Sequence, residues 1–339
     1  MTGVAEQIDP SGEIPLIDIG PYLRGEDGSL EAAAKELRHA QEEIGFYYLT
    51  NHGIAPELVA AAMDQVRQFH ALPDDDKLAL KVGENGPGYV PFKSTVYVTS
   101  PLADNSTRVL NANYRLVRER PADHPSVVAK RRFAGPNKWP STELLPDFKR
   151  IMLEYFGQLE DLGRSLLPVY ARALDLPKDY FDAMFTDPYW TTRNVHYPNV
   201  APEKNQLAAG PHRDNGFITI LPVSSIPALE VMTTDGDWIP AVHVKDSMLV
   251  NSGEFMNVWT NGRFIATPHR VLPPGQERHQ IAFFYNPNWD VVSDPLPTCV
   301  GPDNPPRFKP MQYLEHYCNY VDGNYTRVLG GGTLDDDKY

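Results

Sequence analysis

Residues 210–221 read GPHRDNGFITIL, with a histidine and an aspartate two apart at the mouth of an alternating apolar run. In an extended strand, side chains two apart point the same way, so His212 and Asp214 project together while Arg213 points to the other side. One imidazole and one carboxylate leave a divalent ion short of ligands, so a third must come from elsewhere in the chain. ATPHRVLPP (266–274) offers His269, placed after a strand-like segment and bounded by prolines that restrict the local backbone. Two histidines and a carboxylate on one face of an ion form a facial triad that leaves positions open for oxygen and an organic chelator, and the preferred ion is Fe(II). An H-x-D pair alone is common by chance and reads equally as a polar loop before a buried strand; its weight comes from the combination.

Working outward, the text after residue 188 breaks into short β-like runs: TRNVHYP, FITILP, ALEVM, WIPAVHV, SMLVNS, HRVLP and QIAFFYNP. Turn signals separate them, notably Asp235-Gly236 and Asn261-Gly262. This spacing predicts a two-sheet barrel or jelly roll. Upstream, IPLIDI (14–19) reads as a strand, residues 31–45 as a helix with Leu37, Ala40 and Ile44 on one stripe, and FYYLTNHGI (46–54) as a second strand. Pro56 suits a first helical turn, and Val59, Ala62, Val66 and Phe69 mark the buried face of the helix it opens. LPDDDK (72–77) is expected to close or redirect that helix. Residues 83–142 lack sustained periodicity and read as loops and short strands, and residues 94–114 offer a cover for an active-site opening. A long helix spans about 145–174, its stripe running from Phe148 through Met152, Tyr155, Leu159 and Leu162 to Leu166; Pro168 should kink or end it.

The expected division is an N-terminal α/β region (1–140), buttressing helices (141–187), a jelly-roll core (188–300), and a C-terminal helix with a frayed tail (301–339). A formal charge of -13, from 44 acidic against 31 basic residues, argues against general attraction to nucleic acid or anionic membrane. Cys299 and Cys318 are the only cysteines, which excludes a disulfide framework and makes a reducing cytoplasm the default. No apolar run approaches membrane-spanning length. A soluble monomer acting on a small molecule is the expectation.

Several segments carry a family likeness: IPLIDIG, AQEEIGFYYLTNHGI, HYP (196–198), HRDNGFITIL, DGDWIPAV, NGRFIATPHRV and ERHQIAFFYNPN. In this order and at this spacing the chain resembles iron(II)/2-oxoglutarate-dependent oxygenases of the isopenicillin N synthase-like family, from about residue 14 to 325 and least between 95 and 140. The resemblance implies a mainly β fold with flanking α: a double-stranded β-helix, or jelly roll, open at one end and buttressed by helices. It implies Fe(II) held by His212, Asp214 and His269, with 2-oxoglutarate and O2 consumed to hydroxylate, or otherwise oxidise, an unactivated C–H bond.

Relatives that use 2-oxoglutarate bind its far carboxylate through an R-x-S pair on a late strand. Here Arg278 matches the arginine, but the serine position holds Gln280, whose amide could donate to a carboxylate. Tyr197 matches a tyrosine that supports the same carboxylate. Positions the family uses toward substrate correspond to Tyr89, Thr191, Leu221 and Phe284, and Lys93 and Arg108 are candidate partners for a substrate carboxylate. His196, His243 and His279 match no ligand position and read as neighbours or surface residues. Two rivals stand beside this reading. An isopenicillin N synthase-type oxidase would dispense with 2-oxoglutarate, and Gln280 keeps that option open. A non-catalytic metal-binding jelly roll, or a zinc hydrolase on the same ligands, is the second.

Overall fold

A computed structural model of the chain describes residues 13–83, 86–95 and 108–324. The N-terminal third supplies β1 (Leu16–Asp18), α1 (Gly20–Leu23), α2 (Ser29–Glu43), β2 (Phe46–Thr50), α3 (Pro56–His70), α4 (Asp74–Leu78), β3 (Gly88–Val90), β4 (Ala112–Val117) and α5 (Pro125–Val128). After the long α6 (Phe148–Ala173) come β5 (Tyr189–Tyr197), β6 (Ala209–His212), β7 (Ile218–Pro222), β8 (Leu229–Met232), β9 (Trp238–Pro240) and β10 (Met248–Ser252). The last elements are α7 (Glu254–Trp259), β11 (His269–Val271), β12 (Arg278–Asn286) and α8 (Tyr313–Asn324).

The strands form an eight-stranded sheet in the order β1-β2-β10-β7-β12-β5-β4-β3 and a four-stranded sheet in the order β6-β11-β8-β9. With helices flanking the strands, this is the mainly β, double-stranded β-helix architecture the resemblance implies. N-terminal strands extend the large sheet at both edges, β2 pairing antiparallel with β10 and β4 with β5. The edges then fall on β1 and β3, three residues each, and such short edge strands offer little template for further pairing.

Alternation along β12 separates two environments. Ile281, Phe283 and Tyr285 point outward into a buried core shared with Met152, Phe156, Leu159 and Leu162 of α6. Phe156 stacks on Phe283 at 6.2 Å between ring centroids. A Cβ at position 163 would meet the Tyr285 ring at 2.8 Å, so glycine there lets the helix lie directly on the strand. Burying these rings supplies roughly 1.5–3 kcal/mol per large side chain. Arg278, Gln280, Ala282 and Phe284, on the other parity, face the cavity inside the barrel.

The structure corrects several expectations. Pro168 does not end its helix, which runs on to Ala173. The missing N–H removes one hydrogen bond, while Leu166, Leu167, Val169, Tyr170, Ala171 and Ala173 are all buried and hold the last turns by packing. LPDDDK does follow the end of α3 at His70 as expected, and it also opens a new short helix, with Asp74, Asp75 and Asp76 in its first turn, where the helix dipole favours negative charge. The strand β6, sequence AGPH, escapes a reading based on β-branched runs. The expected cover falls largely on residues 96–107, and the expected tail on 325–339, outside the described residues. Among the described residues no helix is long and apolar enough to cross a membrane.

Candidate active site

Antiparallel pairing of β11 with β6 sets His269 directly opposite His212, and their rings lie 4.4 Å apart. Asp214 sits two residues beyond the end of β6, in the connection to β7 rather than on a strand. That connection is pinned from both sides. Arg213 turns away and donates from Nε to the Ala266 carbonyl (2.8 Å). The Phe217 amide donates to Asn286 Oδ1 (2.8 Å). At 216 a Cβ would stand 2.0 Å from that same oxygen, so only glycine allows the approach.

Each imidazole is oriented by the backbone, His212 Nδ1 lying 2.8 Å from the Gly210 carbonyl and His269 Nδ1 3.2 Å from that of Thr267. A carbonyl only accepts, so both rings carry their proton on Nδ1 and turn a lone pair on Nε2 inward. Those Nε2 atoms lie 3.9 Å (His212) and 3.7 Å (His269) from Asp214 Oδ1. Such separations are too long for hydrogen bonds, yet two metal–ligand bonds of about 2.1 Å each can bridge them. Oδ2 of Asp214, by contrast, is committed: Thr219 Oγ1 donates to it at 2.5 Å and Asn251 Nδ2 at 2.8 Å. The donor set, two imidazole nitrogens and one carboxylate oxygen on a single side, therefore fits a divalent ion.

The electrostatics agree. Burial, with the neighbouring His269, pushes His212 down to about 3, so it is an uncharged ligand near neutrality. Burial alone would raise the Asp214 carboxyl, but His269, His212 and the two hydrogen bonds hold it below the ordinary carboxylate range. Thr219 and Asn251 are direct partners across the β7–β10 ladder, so one sheet rung carries both orienting donors. Replacing Asn251 with leucine, near-isosteric but unable to donate, is expected to weaken divalent-metal affinity by about 10–100-fold with the fold retained. An anaerobic Fe(II) titration checks this, and unchanged affinity would show that the contact to Oδ2 does not matter.

The cavity extends from these residues toward Arg278, which faces Tyr197 across the β5–β12 ladder. Arg278 is only 3 % exposed, and its guanidinium carbon lies 5.0 Å from the centre of the Tyr197 ring. Burial lowers its pKa, while Tyr197 works against that shift. Its Nε and Nη1 have no hydrogen-bond partner among the described residues. A buried guanidinium in this condition calls for an anion. Gln280 departs from the expected role. Its Nε2 donates to the Pro222 carbonyl (2.7 Å), and its Oε1 accepts from Arg278 Nη2 (2.8 Å). The amide is thus occupied in holding the arginine, rather than donating to a bound carboxylate.

Leu221 and Phe284 also line this cavity, and Thr191 lines an adjoining one that shares Arg193, Asp214 and Phe284. Tyr89 is not brought there. It is buried against Phe69 and His70, at 6.0 and 6.2 Å between ring centroids. Lys93 and Arg108 line neither cavity; Lys93 pairs with Glu203 at 3.3 Å. The sequence reading missed Phe46, whose ring meets His269 edge-on at 5.4 Å. It also missed Asn111, Asn113 and Arg193 on the walls, and Tyr313, Tyr317 and Tyr320 of α8. Arg193 was readable: counting back by twos from Tyr197 along TTRNVHY puts it on the same face.

Comparison with known proteins fits this geometry. Residues 14–142 match a family model described as non-haem dioxygenase in morphine synthesis N-terminal, and residues 190–287 match the 2OG-Fe(II) oxygenase superfamily. The 2-oxoglutarate-Fe(II) type oxidoreductase hxnY of Emericella nidulans is 32% identical, over 93% of this chain and 90% of that protein. The chain belongs to the 2OG-Fe(II) oxygenase superfamily. A full-length Neurospora crassa protein, crystallised in complex with alpha-KG, superposes on this oxygenase with a TM-score of 0.81 at 26% identity, covering 93% of this chain and 98% of that one. The same Neurospora crassa protein with alpha-KG and thymine gives 0.80 at 26% identity, covering 93% and 97%. This oxygenase is accordingly an oxidoreductase that uses Fe(II), 2-oxoglutarate and O2 on a small molecule. The isopenicillin N synthase-type and non-catalytic readings are not favoured.

Proposed function

We propose that His212, Asp214 and His269 hold the ferrous ion through their two Nε2 atoms and Oδ1, and that Arg278 with Tyr197 receives the far carboxylate of 2-oxoglutarate. The observation that carries this reading is the pairing of two unmet needs in one cavity. Three ligand atoms converge without hydrogen-bonding one another, and a buried guanidinium has two nitrogens without partners among the described residues. The chemistry supplied by iron, 2-oxoglutarate and O2 is an oxidative decarboxylation to succinate and CO2, with the second oxygen atom available to oxidise the substrate. The protein's own residues position the reactants. Thr219 and Asn251 hold the carboxylate ligand in place, Gln280 aims the arginine, and the apolar wall of Phe46, Val195, Leu229 and Val271 excludes water.

Substrate enters on the side lined by Thr191, Arg193, Phe284, Tyr313, Tyr317 and Tyr320. Aromatic walls with one guanidinium suit a small, flat or apolar molecule bearing an acceptor group such as a carbonyl or carboxylate. The thymine bound by the Neurospora crassa structural neighbour is a molecule of that kind. The acidic net charge supports a free small molecule rather than nucleic acid or membrane, with the chain acting as a monomer, and two free cysteines suit the cytoplasm.

Anaerobic addition of Fe(II) and 2-oxoglutarate to the metal-free protein is expected to give a weak visible charge-transfer band at one equivalent of each. Admitting O2 with a panel of small carbonyl and carboxylate compounds should release succinate with the productive one. Product formation without succinate would overturn the assignment of Arg278 to the co-substrate.

A further inference from the structure

The outer face of the β5–β12 ladder carries a second cluster of potential ligands. His196 and His279 are direct cross-strand partners, on the parity opposite to the inward Tyr197 and Arg278. Their rings stack at 4.7 Å with planes 8° apart. Glu277, adjoining the start of the strand that carries His279, brings Oε1 to 2.8 Å from His196 Nε2. One ligand atom from each of the three residues falls within a 4.8 Å span. A third histidine, His70 of α3, completes the surround, its ring 5.3 Å from that of His196 and 6.0 Å from that of His279.

His70 adds an independent observation. It is 5 % exposed, and its Nε2 lies 2.9 Å from the Asn194 carbonyl. That carbonyl can only accept, so the ring proton is on Nε2 and the Nδ1 lone pair remains buried with no hydrogen-bond partner among the described residues. Nearby cations are already engaged, Arg67 with Asp64 and Lys77 with Asp74 and the His70 carbonyl. Solvent reaches the cluster through a cleft of about 610 Å³ between α3 and the barrel, which Glu277 and His279 line.

We propose that His196, His279 and Glu277 form a second metal site on the outside of the barrel, selective for borderline divalent transition ions such as Zn2+. On binding, the ion would release to solvent the proton shared by His196 Nε2 and Glu277 Oε1, and the parallel rings would turn so that both lone pairs meet it. Two imidazoles and one exposed carboxylate then leave a fourth tetrahedral position for water, and imidazole ligands favour Zn2+, Ni2+ or Cu2+ over Mg2+ or Ca2+. Because His279 lies between Arg278 and Gln280, an ion there would clip β5 to β12 directly behind the guanidinium inside the cavity.

The inner triad also binds Zn2+, so the test starts from the His212→Ala/His269→Ala protein, stripped of metal and titrated with Zn2+ by calorimetry. One equivalent is expected to bind, to raise the midpoint of thermal unfolding, and to be unaffected by millimolar Mg2+. Adding Glu277→Gln, at an exposed position that leaves folding intact, should weaken that equivalent by at least tenfold. Adding His196→Ala and His279→Ala should abolish it. Absence of Zn2+ binding in the starting double variant, or binding that Glu277→Gln does not weaken, would overturn the site.

Discussion

The His212→Ala protein is expected to fold normally and to lose essentially all succinate formation and product, with its Fe(II) affinity reduced beyond the roughly 10–100-fold that loss of an outer partner costs. The side chain is a poor candidate for a structural role. It lies at the end of a short strand, faces a cavity, and is 13% exposed at the side chain. Its Nδ1 contact is to the carbonyl of Gly210 only two residues away. Removing it leaves Asp214 still held by Thr219 and Asn251, and His269 still packed against Phe46. The substitution therefore subtracts one ligand while the other two keep these supports. Two ligands from Asp214 and His269 leave an ion held too loosely for an ordered co-substrate geometry. Near-wild-type succinate release with one iron bound would place the centre elsewhere.

How far the sequence foretold this follows physical lines. His212 and Asp214 were readable as a pair from their H-x-D spacing, although Asp214 lies in the connection after β6 and not on the strand that reading assumed, and His269 because the triad needs a third ligand and its segment resembles a family motif. What the reading did not contain is that the two histidines face each other across the β6–β11 ladder. Strand pairing joins residues remote in the chain, and the AGPH segment gives no β-propensity signal of its own. Asn251 and Thr219 were hidden for the same reason. A polar residue in a buried strand shows its purpose only when its partner across the sheet is known. Pro168 departs in the opposite direction, since a local rule gave a kink or an end there and tertiary packing carries the helix on to Ala173. His196 and His279 read as neighbours because they match no ligand position, and their register across β5 and β12 is what places them together.

Gln280 is the point at which motif and geometry part. Read as a stand-in for serine it would donate to the bound carboxylate, but its donor is taken by Pro222 and its acceptor by Arg278. It is a positioning residue, one step removed from the ligand. Substituting methionine keeps its length and removes both hydrogen bonds. Disordering the arginine in this way should raise the KM for 2-oxoglutarate about tenfold, corresponding to roughly 1.4 kcal/mol, while kcat at saturation changes little.

Arg278→Leu should act on the same parameter more strongly. Truncating one partner of a buried charge pair costs about 2–5 kcal/mol, so the KM for 2-oxoglutarate is expected to rise by at least roughly thirtyfold. Stability separates this effect from misfolding. A buried guanidinium with two nitrogens lacking a hydrogen-bond partner among the described residues recovers only part of its desolvation cost, from Gln280 and Tyr197, when no co-substrate is bound, and replacing such a charge with an apolar group is often neutral or stabilising. The variant should therefore melt at or above the temperature of the unsubstituted protein while binding its co-substrate poorly. If instead the substrate KM rose and that for 2-oxoglutarate held, Arg278 would belong to substrate recognition. Measuring both constants on one protein decides between them, because the two carboxylates would compete for a single guanidinium.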